Sequence, residues 1–333
     1  MLLVPVSEIE AAARRVEGVA RRTPLLSLPV DSPTPVFAKC ENLQAVGAFK
    51  IRGAYNFIAQ LDPEARARGV ITYSSGNHAQ AVAMAAARVR VPAVVVMPTT
   101  APAIKVEGAR ALGAGVVFEG TTSVERKQRA EDIAQQRQLQ MVPPFDHPRI
   151  IAGQGTVGLE ILADCPEVGR IVVPVGGGGL VAGIAAAVKQ QRPDVQLIGV
   201  EPRGAAKMTA SLRAGHPVTL SEVASVADGL LPVRPGELTF AHVRDLVDEV
   251  NLVDDDAIIG AVLWLFQRAK LVVETSGAAT LAWLMANLES VTTGTTVVVL
   301  SGGNLGLDTL SDLASRHAVH EAPFRDGRGS AVQ

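Results

Sequence analysis

Residues 36–39, 70–73, 93–97, 115–118, 171–175, 197–200 and 297–300 are short, mostly continuous runs of β-branched and aliphatic side chains. Runs of that length without polar alternation are expected of strands buried on both faces of a parallel sheet. Between them lie stretches with helical spacing. Residues 7–18 open on Ser7 and Glu10, a capping-box pair, and put Ile9, Ala12, Ala13 and Val16 on one face. Residues 79–89 are rich in alanine and suit a helix packed tightly between layers; 254–270 carry Ile258, Ala261, Val262 and Phe266 at helical spacing. Strands and helices in this alternation predict an α/β protein with a doubly wound parallel sheet, or two of them. The three prolines within 141–148 suggest a crossing between lobes, and the loss of periodicity over 321–333 predicts a frayed tail.

Composition narrows the picture. At 333 residues the chain is long enough for two lobes of ordinary size. Hydrophobic residues make up 48% and charged residues 19%, so a large core can be buried, and aromatics at only 4% make that core aliphatic. Lys and Arg number 31 against 33 Asp and Glu, a formal charge of −2, which argues against a nucleic-acid partner. Cys40 and Cys165 are too few for a disulfide framework, and the N-terminus lacks the features of a signal peptide. No apolar run reaches the ~20 residues of a membrane span. The expectation is a soluble cytoplasmic protein without a membrane partner.

Glycine and small polar residues gather where three strands end. Residues 70–73 run into Ser74-Ser75-Gly76-Asn77-His78, 171–175 into Gly176-Gly177-Gly178-Gly179, and 297–300 into Ser301-Gly302-Gly303-Asn304. In open α/β sheets ligands bind at the carboxyl ends of strands. Four consecutive glycines before a helix can turn several N–H groups toward one anion, a phosphate cradle; a tight turn packed on a sheet would also use one or two of them. The Ser74–His78 loop suits a carboxylate, or simply caps the following helix. Lys50, between Phe49 and Ile51, is either a solvated surface lysine or a desolvated amine with a lowered pKa, able to form a Schiff base.

Together these segments resemble the fold-type II pyridoxal phosphate enzymes, and within them the serine/threonine dehydratase and serine racemase family. The matching runs are Lys39-Cys40-Glu41-Asn42-Leu43-Gln44, Phe49-Lys50-Ile51-Arg52-Gly53-Ala54, Ser74 to His78, Ile151-Ala152-Gly153-Gln154-Gly155-Thr156, Gly176 to Gly179, Ala227-Asp228-Gly229, Pro235-Gly236-Glu237-Leu238 and Ser301 to Asn304, all in family order. The resemblance implies a tryptophan synthase β-subunit-like fold, two doubly wound open sheets with pyridoxal 5'-phosphate between the lobes. Residues 1–45 and 146–333 would form the large cofactor-binding domain and 46–145 a small mobile one. It implies that Lys50 carries the cofactor and serves as the base at the substrate Cα, with Ser75 where a racemase keeps its second-face acid. Phe49 would lie beside the cofactor ring, Asn77 bond its hydroxyl, Ser301 its nitrogen, and Gly176, Gly177, Gly178 and Gly179 its phosphate. Ser74, Ser75, Gly76 and His78 would surround the substrate carboxylate. The implied activity is dehydration and deamination of a β-hydroxy amino acid, L-threonine or L-serine, to a 2-oxo acid and ammonia, by a homodimer. Racemisation of serine, or dehydration of a larger 3-hydroxy amino acid such as 3-hydroxyaspartate or phenylserine, is the alternative. A β-replacement synthase is disfavoured because the lysine is followed by Ile51-Arg52-Gly53 rather than Asp-Arg. A nucleotide-binding regulatory module would require Lys50 to be incidental.

The chain departs from the family pattern in three places. Glu201 and Ala205 match a divalent-cation site of many relatives, but Lys207 stands at its acidic position. The expectation is that no magnesium or calcium binds there: the lysine ammonium takes the cation's place beside Glu201, or else a shift of register leaves it facing water. The run Pro143-Pro144-Phe145-Asp146 lacks the asparagine of racemase-like members. Glu274-Thr275-Ser276-Gly277 replaces Glu-Pro-Ser-Gly, and loss of the proline is expected to loosen that turn. The chain past Asn304 is too short for the regulatory domain of the longer biosynthetic dehydratases, so feedback inhibition through one is not expected.

Overall fold

The structure, a computed structural model, describes residues 3–74, 76–101 and 103–318; the frayed-tail expectation and Ser75 lie outside them. Among the described residues ten strands form two sheets: β1 Leu25–Ser27, β2 Val36–Lys39, β3 Val70–Tyr73, β4 Ala93–Met97, β5 Gly115–Phe118, β6 Gln140–Met141, β7 Val168–Pro174, β8 Gln196–Pro202, β9 Glu249–Val253 and β10 Thr295–Val299. The larger sheet runs β1-β2-β10-β7-β8-β9, with only β1 antiparallel, and the smaller runs β5-β4-β3-β6, all parallel.

Both sheets are covered on both faces, which is why their strands read as unbroken apolar runs. Successive side chains of a strand point to opposite faces. Thus Ile171 and Val173 of β7 join one core with Leu180, Ile184 and Phe240, while Val172 joins another with Ile258, Leu281 and Leu284. β10 divides the same way, Val297 and Val299 against Val298. In the smaller sheet Val95 and Met97 face the alanine helix Asn77–Val89, and Val96 faces Ile133 of helix Ser123–Arg137. β5 is an edge strand and leaves Phe118 exposed.

Two sequence expectations fail locally. The first helix is Val6–Val16, with Pro5 at its cap and no side-chain cap bond, so the Ser7–Glu10 capping box does not form. Tertiary partners replace it: Val6 N donates to Gln190 Oε1 at 2.9 Å, and Val4 N to His242 Nε2 at 2.8 Å. Further on, helix Asp255–Trp264 widens into a π-turn over Leu265–Ala269, which carries Phe266 off the buried face to 46% exposure.

Helix Pro148–Asp164 is the hub that positions the site. Gly153 lies against the helix Lys50–Ile58, where a Cβ would fall 2.6 Å from Arg52 O. Gly155 lies against helix Gly179–Lys189, whose Gly183 would place a Cβ 2.5 Å from Gly155 N. The Gly-Gln-Gly run therefore lets one helix hold both the lysine helix and the tetraglycine helix at backbone contact.

Candidate active site

β3, β7 and β10 each end in one of the loops singled out in the sequence. The β10 loop is stitched to the start of the lysine helix: Ala48 bridges Gly302, Phe49 N donates to Ser301 O at 3.2 Å, and Gly303 N to Gly47 O at 2.8 Å. Lys50 opens that helix, half-buried, with Nζ 5.1 Å from the centre of the Phe49 ring. Nζ donates to Pro144 O at 2.8 Å. The surrounding protein desolvates the ammonium and pushes its pKa down to about 8, against the pull of Glu274.

Phe145, next after Pro144, lies on the tetraglycine loop. A Cβ at Gly177 would meet its ring at 2.3 Å, and one at Gly179 would meet its Cβ at 2.9 Å. Residues 144–145 thus bring lysine and glycines together. Gly178 has φ +95°, a left-handed backbone that disfavours any side chain. Thr239 Oγ1 donates to Gly177 O at 2.7 Å, and Asp146 accepts from the N–H groups of Glu237, Leu238 and Thr239, capping the helix that carries Thr239. Gly177, Gly178 and Gly179 are buried, yet their N–H groups donate to no acceptor among the described residues. Buried N–H groups without partners are rare in folded proteins, so these point to an acceptor that is not protein.

Asn77 begins helix Asn77–Val89, and its amide orientation is set from both ends. Nδ2 donates to Glu274 Oε1 at 2.7 Å, and Oδ1 accepts from Asn304 Nδ2 at 2.8 Å. Glu274 is buried; burial first, then the Asp228 carboxylate, push its pKa up to about 7. Ser301 is buried at the strand end, and its hydroxyl bonds no group among the described residues. In the β3 loop, Ser74 Oγ accepts from Gly76 N at 3.2 Å, and Gly76 caps the helix. The His78 ring turns away from that loop, Nε2 donating to Val142 O at 3.1 Å. Burial, with Lys50 adding to it, pushes His78 down to about 3, so it is neutral.

Glu274, Asn304, Phe145 and Thr239 are site residues whose roles sequence reasoning missed. Glu274 had a visible signal, an acid between apolar Val272-Val273 and an apolar helix. The loosening expected at Glu274-Thr275 is not found: Thr275 Oγ1 donates to Val226 O at 2.7 Å and Ser276 Oγ accepts from Gly229 N at 2.8 Å.

A desolvated lysine amine beside buried, unpartnered N–H groups suits a cofactor with a carbonyl and a phosphate. Set at the strand ends of two wound sheets, it defines the class as a fold-type II pyridoxal phosphate enzyme. Residues 16–302 match the family described as pyridoxal-phosphate dependent enzyme, and the chain belongs to that family. It is 44% identical over 320 residues to the L-threonine ammonia-lyase of Geobacter sulfurreducens, covering 95% of this chain and 80% of that one. It is 38% identical to the L-threo-3-hydroxyaspartate ammonia-lyase of a Pseudomonas species, over 94% of this chain and 99% of that one. The maize serine racemase structure superposes with a TM-score of 0.89 at 37% identity, covering 96% of this chain and 99% of that one.

Proposed function

We propose that this pyridoxal-phosphate-dependent lyase dehydrates and deaminates L-threonine and L-serine, giving a 2-oxo acid and ammonia. The observation that carries it is the pairing of the desolvated Lys50 amine with the unpartnered N–H groups of Gly177 to Gly179. The cofactor, when bound, supplies the electron sink that acidifies the substrate Cα–H. The chain's residues hold and move the rest. Gly176 to Gly179 hold the phosphate; Asn77, fixed by Glu274 and Asn304, holds the ring hydroxyl; Ser301 meets the ring nitrogen; Phe49 lies beside the ring. Ser74, Ser75, Gly76 and the start of helix Asn77–Val89 receive the substrate carboxylate, with His78 adding no charge. Lys50 Nζ takes the Cα proton, and its lowered pKa brings it near the operating range of a general base. Loss of the β-hydroxyl as water leaves an enamine that tautomerises and hydrolyses.

The Geobacter likeness supports threonine as substrate, the Pseudomonas likeness a 3-hydroxyaspartate, and the maize likeness a racemase. Phe145, which packs on the tetraglycine loop and stands after the proline pair where racemase-like members carry asparagine, favours elimination. We further infer a cytoplasmic homodimer; among the described residues no helix is long and apolar enough to cross a membrane. Residues 46–145 would close over the substrate as a small mobile domain, and the Lys105–Asp228 ion pair at 3.7 Å supports such a closure.

The deciding assay is 2-oxo acid release from threonine, serine, 3-hydroxyaspartate and phenylserine in both configurations. L-Threonine is expected to give the highest kcat/KM. D-Serine formed from L-serine as fast as pyruvate is released would overturn the lyase assignment in favour of the racemase. The phosphate cradle has its own test. In Gly178→Ala a Cβ would sit at positive φ, 2.9 Å from Thr239 Cβ. A left-handed alanine costs about 1–2 kcal/mol, so cofactor half-saturation should rise roughly tenfold or more, with kcat at saturating cofactor largely kept. Unchanged cofactor affinity in an absorbance titration would place the phosphate elsewhere.

A further inference from the structure

Glu201 lies in β8 and Lys207 begins helix Lys207–Ala214; both side chains are fully buried. The Lys207 ammonium sits among four oxygens. It donates to Val175 O at 2.9 Å, Ala205 O at 3.0 Å and Leu230 O at 3.0 Å, and pairs with Glu201 Oε1 at 3.0 Å. Glu201 is in turn held by Met208 N, Thr209 N and Thr209 Oγ1, each at 2.9 Å. Burial lowers the Lys207 pKa and Glu201 opposes it. Of the two readings open in the sequence, the one in which Lys207 faces water is excluded.

Three carbonyls and a carboxylate are a donor set for a hard cation such as calcium. The divalent cation implied by the family resemblance does not fit here, because the ammonium fills the centre of that set and brings its own charge. What it holds is the base of the glycine loop. Val175 immediately precedes Gly176. Leu230 follows Gly229, whose carbonyl oxygen lies 3.0 Å from where a Gly176 Cβ would be. The same ammonium therefore ties together the two segments that flank Gly176.

We propose that Lys207 is a tethered cation. It sets the shape of the cofactor-phosphate loop and frees the protein from any need for a mono- or divalent metal ion. Lys207 acts as a positioning residue through Val175 and Leu230. The proposal rests on the reading of Gly176–Gly179 as the phosphate cradle.

The test begins with the wild-type holoenzyme in EDTA and tetramethylammonium buffer, with magnesium, calcium or potassium chloride then added. The melting temperature should move by no more than about 1 °C and cofactor half-saturation by no more than about twofold. Stabilisation by several degrees from any of the three ions would overturn the proposal. Lys207→Asp, in EDTA, should lose cofactor affinity by roughly tenfold or more and regain most of it with magnesium or calcium. Lys207→Met should lose affinity equally and regain none. A merely structural salt bridge predicts no metal rescue in Lys207→Asp, and that result, or Lys207→Met binding cofactor like wild type, would also overturn it. If Lys207→Asp does not fold, the wild-type and Lys207→Met measurements decide. The same melting series on cofactor-free protein separates the two readings. Indifference to ions in a protein that never binds the cofactor defeats the cradle, not the tethered cation.

Discussion

Lys50→Ala should fold normally, stay colourless with added pyridoxal phosphate, and release 2-oxo acid from L-threonine at least about 10³-fold more slowly than wild type. The effect is large because the variant removes the amine held at Pro144 O beside the glycine loop. Lys39 and Lys207 are fully buried and fully bonded, and Lys105 pairs with Asp228. Lys50→Arg should be as inactive, since a guanidinium keeps the charge but has no amine to give or to take a proton at neutral pH. Substantial turnover in either variant would remove Lys50 from the chemistry. The cofactor-free proteins should differ in a second way. The folded pKa of Lys50, about 8, lies below its ordinary 10.5. Between those values the unfolded chain binds more protons than the folded one, so stability rises with pH across that window. Wild type should gain stability relative to Lys50→Ala as pH rises from about 8 to about 10.5, as the difference between two denaturation series would read. Cofactor uptake by the wild-type apoprotein should accelerate through pH about 8, as the amine loses its proton.

The two wound sheets were legible because strands buried on both faces have nowhere to hide a polar residue, as Ile171, Val172 and Val173 illustrate. What escaped was at the edges: β1 has three residues, β6 has two, and β9 alternates Glu249 and Asn251 with apolar neighbours. Edge strands lack the double burial that produces the signal. The three strand-end loops, and Lys50 among its apolar neighbours, also stood out along the chain. That Glu274 and Asn304 orient Asn77 was not legible, because they lie 197 and 227 residues away from it in sequence. Nor does spacing reveal that His78 would turn to Val142. Lys207 marks the boundary between the two kinds of information: its type and position announced a departure, and only its burial among four oxygens says what the departure does.

Arg52→Met should be the most destabilising single change near the site. Arg52 lies on the lysine helix, two residues past Lys50, and is wholly buried. Its guanidinium grips two carboxylates: Glu41 through Nε at 2.8 Å and Nη2 at 2.7 Å, and Glu160 through Nη1 at 2.6 Å and Nη2 at 2.9 Å. Thr156 Oγ1 and Arg21 O take two more bonds. Lys39 pairs with Glu160, so two positive and two negative charges balance in the interior. Methionine has a similar length and no charge, and leaves Glu41 buried without a direct cation. Removing one partner of such a pair costs about 3–5 kcal/mol, which for a chain this long is a melting temperature lower by roughly 5–15 °C. The pH dependence should change sign. In wild type, burial alone would raise the Glu41 pKa, but Arg52 outweighs it and holds the pKa below the ordinary value. That contribution is present above the unfolded pKa and is lost as acid protonates Glu41. Without Arg52 burial wins, the folded pKa rises above the unfolded one, and stability now falls as pH rises through that interval. The deficit of Arg52→Met should therefore be widest at neutral pH and shrink toward pH about 5. Adding Glu41→Met should recover at least half of the loss, because the remaining Glu160 keeps Lys39 and an apolar pair can replace an ionic one. A single variant that melts like wild type at neutral pH would show that the network contributes nothing to holding the Lys50 helix.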